Sequence, residues 1–210
     1  MEQQANITAN SKLEQALALL ERGWSVIPVG KNKKPLIEWR HYQNERAASE
    51  EVRVWFEKYP DVNFCVVTGR ISNLVVVDID PRHGGSDELF KDIVTVKVKT
   101  GGGGQHVYFQ YEEGIDNKAG IRQGIDIRGE GGYVIVPPSE HQSGNLYEWI
   151  NDPAEMNILP MPDFVKEWIG AERIKLENKT VEIINGVPEG KRNDSAASLA
   201  GELINKYPKD

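Results

Sequence analysis

The chain has 210 residues, of which 39% are hydrophobic and 27% charged, and its formal net charge is −7. That length can bury the core of one domain, and the acidic balance excludes a protein that coats nucleic acid by charge alone, while leaving room for local template binding. No apolar run of about 18 residues is present to span a membrane, and the single cysteine, Cys65, excludes an internal disulfide and fits a reducing cytoplasm.

The polar start, residues 1–12, lacks the plan of a signal peptide and is expected to be disordered. Leu13, Ala16, Leu17, Leu19 and Leu20 recur at helical spacing, and Gly23 stands where a C-cap would stop the helix. Residues 24–29 read as a strand, followed by the basic turn Gly30-Lys31-Asn32-Lys33-Lys34-Pro35. A second helix is expected over 49–59, capped by Ser49, with Val52, Trp55 and Phe56 on one face. Two β-branched runs, 64–68 and 74–79, read as neighbouring strands. A short helix around 87–92 leads into a hairpin, its strands at 94–99 and 106–111 and its loop at 100–105. Further strands are expected at 125–128, 133–136 and 147–149, and a helix over 163–169 closes a unit spanning 13–170. Residues 171–210 read as a linker and the truncated start of a second, helical unit.

The strongest local signal is Leu74-Val75-Val76-Val77-Asp78-Ile79-Asp80-Pro81. Side chains two apart on a strand share a face, so Asp78 and Asp80 project together while Val77 and Ile79 turn to the core. A cation between paired carboxylates removes their repulsion, and hard oxygen donors suit Mg²⁺ or Mn²⁺. A strand end dissolving into a polar turn would carry the same residues. The second signal, Thr100-Gly101-Gly102-Gly103-Gly104-Gln105-His106, clears β-carbons from a loop, so that backbone N–H groups can approach an anion. It is no Walker A loop, and neither is the stretch from Gly186 to Arg192. A plain hairpin tip with a bystander histidine is the competing reading. In the third, Gly124-Ile125-Asp126-Ile127-Arg128-Gly129, Asp126 and Arg128 share a face, where the arginine could pair with a carboxylate or hold a triphosphate.

An hhhDhD strand, a glycine-rich loop ending in histidine and a later hydrophobic-Asp strand, in that order, resemble the archaeo-eukaryotic primase superfamily. The closer likeness is to the bifunctional primase/polymerase (Prim-Pol) N-terminal domain. Gly23 to Val29 with Lys33-Lys34-Pro35, Asn63 to Gly69, Asp78 to Gly85 and Gly132 to Ser139 resemble further segments of that family, so the likeness runs from about Leu13 to Ile169.

The resemblance implies an α+β fold, in which an RRM-like antiparallel sheet bears the catalytic core and packs against an N-terminal αβ unit. Active carboxylates would line the cleft between them. It implies a DNA-templated nucleotidyltransferase, primase and/or polymerase, that makes or extends primers on single-stranded DNA from dNTP or NTP during replication. Asp78, Asp80 and Asp126 would hold two divalent cations, Mg²⁺ or Mn²⁺. His106 and the backbone N–H groups of Gly102, Gly103 and Gly104 would contact the nucleotide's phosphates. From their places on the strands rather than from the family, Arg128, Lys97 and Lys99 are candidates for further phosphate neutralisation. The family often has serine two positions before the histidine, where this chain has Gly104. Lys33, Lys34, Trp39 and Arg40 are candidates for the template or the initiating nucleotide, or form a solvated basic loop over a buried Trp. His83 reads as an exposed turn residue close to the first motif.

The segment from Glu189 to Asp194 resembles the start of the helical domain in primase-helicases, which implies a helicase in the same full-length chain. The expected setting is a bacterial cytoplasm, with a plasmid- or phage-encoded gene. Two rivals remain: a glycosyltransferase using Asp78 and Asp80, which requires a doubly wound parallel sheet, and a non-catalytic nucleic-acid-binding module, which requires exposed aromatics on the sheet face.

Overall fold

The computed structural model describes residues 9–59 and 62–170, with side chains from residue 11 onward, so the readings of 1–8 and 171–210 lie outside the described residues. The first helix, α1 (Ala9–Glu21), begins four residues before Leu13, so the expected disordered start does not reach residues 9–12. Its apolar stripe buries Ala16 and Leu19. Gly23 ends it as expected: at φ 92° its N–H donates to the Leu20 carbonyl and that of Trp24 to the Leu19 carbonyl, the paired bonds of a Schellman motif. That turn throws Trp24 into the core, where its ring stacks on Tyr108 at 5.8 Å.

The strand β1 (Ser25–Val29) pairs antiparallel with β2 (Asn63–Val67), and α2 (Ser49–Lys58) lies between them in sequence. Ser49 is not the cap of α2. The extended residue is Ala48, whose N–H donates to Glu51 Oε2 at 2.9 Å, while the Ser49 hydroxyl donates to Glu50. The strand β3 (Leu74–Ile79) does not pair with β2 either. Gly69 at φ 97° and Asn73 at φ 55° turn the chain out of one sheet into another, leaving only an isolated bridge between Gly69 and Leu74.

The chain continues through β4 (Lys97–Lys99), β5 (Gln105–Gln110), β6 (Lys118–Arg122), β7 (Ile125–Arg128), β8 (Tyr133–Ile135) and β9 (Glu148–Asn151). The hairpin of β4 and β5 is as expected. The short helix expected near 87–92 is instead a pair of turns that buries Phe90 completely. The strand β6 has no counterpart in the sequence reading, because Lys-Ala-Gly-Ile-Arg offers no apolar alternation and buries only Ile121. A last helix, α3, covers 163–170.

The fold is α+β, built on a three-stranded sheet in the order β1-β2-β8 and a six-stranded sheet in the order β6-β7-β3-β5-β4-β9. Its six strands exceed the four of an RNA-recognition sheet. All strand pairings within the sheets are antiparallel, which removes the parallel sheet required by the glycosyltransferase alternative. The N-terminal αβ unit is not made by N-terminal residues alone, since β8, which follows β7 of the six-stranded sheet in the chain, pairs with β2.

β3 explains how the layers meet. Leu74 and Val76 face the core shared with α1, α2 and the three-stranded sheet, while Val75, Val77 and Ile79 face a second core under Phe90, Met161 and Val165 of the closing segment. A strand buried on both sides reads as an unbroken apolar run, which is why its alternation is invisible until Asp78. The β5 aromatics Tyr108 and Phe109 are completely buried, against the binding-module alternative. Among the described residues no helix is long and apolar enough to cross a membrane.

One buried hydroxyl gives the fold a pH signature. The Tyr42 hydroxyl donates to Glu51 Oε1 at 3.0 Å, and burial, aided by that bond, pushes its pKa from 10.0 up to about 12. Between those values the unfolded chain has already lost the proton, so stability falls as pH rises through the window. The urea midpoint is expected to drop between pH ~9 and ~11.5, and to drop less in Tyr42→Phe. An equal drop in both proteins would remove Tyr42 as a source of the slope.

Candidate active site

Antiparallel register builds the site. Asp78 on β3 stands opposite His106 on β5 and opposite Asp126 on β7. Directly opposed residues of a sheet share a face, so three side chains far apart in sequence meet on the face that looks toward the three-stranded sheet. Asp78 and His106 line a cleft of about 370 Å³ there, with Arg128, Lys33 from the N-terminal turn, Lys118 and Tyr147, and Asp126 is tied to it through Arg128.

The charges inside are paired. One terminal nitrogen of Arg128 donates to Asp78 Oδ2 at 3.2 Å and to Asp126 Oδ2 at 2.9 Å. The other oxygen of Asp126 accepts the Gly120 N–H at 2.7 Å. Asp80, beyond the strand end, is engaged by the turn that follows. It accepts two bonds from the Arg82 guanidinium, at 3.0 and 2.8 Å, and one from the Arg82 N–H, and it contacts His83 Nδ1 at 3.1 Å. The Arg82 hydrogen bonds hold the Asp80 carboxyl well below its usual range. The expected three-carboxylate cluster is therefore not assembled. Asp78 and Asp126 are brought together, Asp80 is drawn to Arg82, and among the described residues no group of three or more His, Cys, Asp or Glu side chains is arranged to hold a metal. The donor chemistry nevertheless fits a hard cation: carboxylate oxygens on opposed strands converge where a guanidinium already supplies positive charge.

His106 is 5% exposed, and its Nε2 lies 3.6 Å from Asp78 Oδ1, too far for a hydrogen bond. Burial lowers its pKa, opposed by Asp78 and reinforced by Arg128 and Lys33, so the ring is neutral near pH 7. Its Nδ1 is buried without a partner, and the ring lies between Tyr108 and Tyr147, with centroids at 6.4 and 6.0 Å.

The basic residues divide. Lys33 reaches the cleft from a left-handed backbone at φ 66°, and its carbonyl accepts the Tyr133 hydroxyl at 3.2 Å. Loss of solvation lowers its ammonium's pKa, while Asp78 and Asp80 oppose that shift, so its charge is felt at the carboxylates. Trp39 packs edge-on against Tyr133 at 5.2 Å and is half-buried on the first core. Lys34 and Arg40 are exposed and do not line the cleft.

Lys97 and Lys99 are a correction. Val98 stands opposite His106, so strand alternation sends both lysines to the other side of the sheet. Lys97 is buried there, its ammonium donating to the Phe90 carbonyl at 2.6 Å, and Lys99 pairs with Glu148 at 3.4 Å.

In the glycine loop two of the three expected amides are already bonded. The Gly103 N–H donates to the Thr100 carbonyl and the Gly104 N–H to Thr100 Oγ1, both at 2.9 Å, so these two amides are spent inside the turn. The loop borders a separate hollow with Lys99 and Asn145. A β-carbon at Gly104 would run into the Ile79 carbonyl oxygen, so the departure from serine follows from the close approach of this loop to β3. Gly102 lies against the Arg82 guanidinium. His83, 75% exposed, is the turn residue expected, although it touches Asp80.

Tyr147 and Lys118 line the cleft without having been singled out in sequence. The alternation Tyr-Glu-Trp was a usable signal for Tyr147, which is 3% exposed and whose pKa is pushed to about 12, mainly by burial. Lys118 sits on the polar strand β6 and had none. Cys65 is fully buried core, as expected.

The family model for the bifunctional DNA primase/polymerase N-terminal domain matches residues 16–163, well over half of the chain. No curated protein matches the chain.

Proposed function

The chain belongs to the bifunctional DNA primase/polymerase N-terminal family, and from that membership we propose that it extends, and in its full-length context also starts, strands on single-stranded DNA by nucleotidyl transfer. The observation that carries this reading is the register that sets Asp78 between His106 and Asp126, beside a cleft that Asp78 and His106 line with Lys33 and Arg128. Acidic and basic groups in one concavity suit a substrate that brings both a triphosphate and metal.

In this reading Asp78, Asp80 and Asp126 would hold Mg²⁺ or Mn²⁺, which would supply activation of an attacking 3′-hydroxyl and offset charge on the triphosphate and the departing pyrophosphate. The chain's own groups supply the rest. Neutral His106 offers an N–H to a phosphate oxygen without adding a charge that would compete for the carboxylates. Lys33 and Arg128 neutralise phosphate. A helicase in the same full-length chain, and a bacterial plasmid or phage source, belong to this proposal as its biological setting.

The test is an extension assay with labelled nucleotides and Mg²⁺ or Mn²⁺, on primed and unprimed single-stranded DNA. Metal-dependent product on primed template supports nucleotidyl transfer, and product on unprimed template adds priming. No product on either template and no nucleotide binding would defeat the proposal. The two neighbouring lysines sharpen it. Removing one charge-assisted phosphate contact costs about 1.5–3 kcal/mol, so Lys33→Ala should raise the nucleotide KM roughly 10- to 100-fold. Lys34→Ala, outside the cleft, should leave KM near the parent value. Equal effects would mean that both act through general charge alone.

A further inference from the structure

Arg128 lies in the middle of the site, yet its guanidinium stands where a metal ion would be useful. A single terminal nitrogen bridges Asp78 Oδ2 and Asp126 Oδ2, at 3.2 and 2.9 Å. The arginine comes from the strand of Asp126, two residues on, so alternation puts both on one face. Its side chain is 35% exposed and lines the same cleft as Lys33 and Lys118, so a phosphate entering the cleft meets it. Two directly opposed carboxylates repel without a cation between them, and the guanidinium removes that repulsion. Its fork of N–H donors matches phosphate oxygens as well as carboxylate oxygens, so a triphosphate in the cleft competes for it.

We propose that Arg128 is a positioning residue acting as an internal counter-ion: it holds Asp78 and Asp126 together in the nucleotide-free protein and leaves them for an incoming triphosphate. The two carboxylates are then freed only when nucleotide is present, so divalent metal and nucleotide bind as a coupled pair rather than independently. By linkage, each tightens the other by the same factor. The inference rests on the nucleotidyl-transfer reading and adds the order in which its site is assembled. It also accounts for three carboxylates that each face an arginine instead of forming an open metal cluster.

Mn²⁺ binding to the full chain, read by the electron-spin-resonance signal of the free ion, tests this with and without a non-hydrolysable dNTP. The wild type should bind Mn²⁺ weakly alone and more tightly with nucleotide. In Arg128→Gln the tax imposed by the paired state disappears, so Mn²⁺ alone should bind about tenfold more tightly and the gain from nucleotide should shrink. Arg128→Lys, which keeps the charge, should restore part of the wild-type coupling. Equal affinity for Mn²⁺ alone in wild type and Arg128→Gln overturns the counter-ion role and leaves the proposed function standing. Absence of Mn²⁺ binding in the wild type even with nucleotide takes down both. If Arg128→Gln does not fold, the wild type still answers through the ¹⁵N signal of the Arg128 side chain, assigned with Arg128→Lys. Mg²⁺ with nucleotide should shift it strongly and Mg²⁺ alone should not; an equal shift in both overturns the proposal.

Discussion

Asp78→Asn is expected to reduce metal-dependent nucleotidyl transfer by about 10³-fold or more while leaving the melting temperature within a few degrees of wild type. Asparagine keeps the shape and an acceptor oxygen but removes the charge that a cation needs. The position is central because both neighbouring strands pair with it: His106 faces it from one side and Asp126 from the other. The fold loses little, since the Asp78 side chain is about a quarter exposed and Arg128 retains its bond to Asp126. Initial rates on a primed template at saturating Mg²⁺, with a thermal melt of each protein, make the comparison. Near-wild-type rates would sink the assignment of Asp78, and a collapsed melt would point to a structural role. Raising Mn²⁺ concentration should recover little, because the missing charge is on the protein.

His106→Ala is expected to lower kcat/KM by about 10²–10³-fold, the usual loss when one preorganised donor to developing phosphate charge is removed. The ring is held between Tyr108 and Tyr147 with one nitrogen buried and the other aimed at the carboxylates, so its orientation is set before substrate arrives. Alanine also leaves a void between two aromatic rings, which costs stability. His106→Asn separates the two effects, since it restores an N–H donor in a smaller side chain. Partial recovery of kcat/KM in His106→Asn without recovery of the melting temperature supports a phosphate contact. Recovery that follows stability alone would reduce His106 to a packing residue.

The first motif was legible because a strand that alternates Val77-Asp78-Ile79-Asp80 places its carboxylates on one face whatever surrounds it. The hairpin that carries His106 and the strand that carries Asp126 and Arg128 were legible for the same local reason, as were the Gly23 stop of α1 and the burial of Cys65. The errors share a cause. Lys97 and Lys99 alternate just as clearly, yet a sequence does not state which face of a strand meets the cleft; that depends on Val98 standing opposite His106. The runs 64–67 and 74–77 are both apolar throughout, so nothing local reveals that a turn separates them into different sheets.

By itself, then, the sequence determined which residues could carry charge at the ends of buried strands, the α+β class, and the family, because alternation, glycine stops and motif order are properties of neighbours along the chain. Only the tertiary structure decided which of those charges meet. It brought Lys33, Lys118 and Tyr147 into the cleft, turned Asp80 to Arg82, and set Arg128 between Asp78 and Asp126. Those outcomes follow from strand register and from pairings across large sequence separations, and the free energy that selects them is summed over the whole packed core rather than written in any one segment.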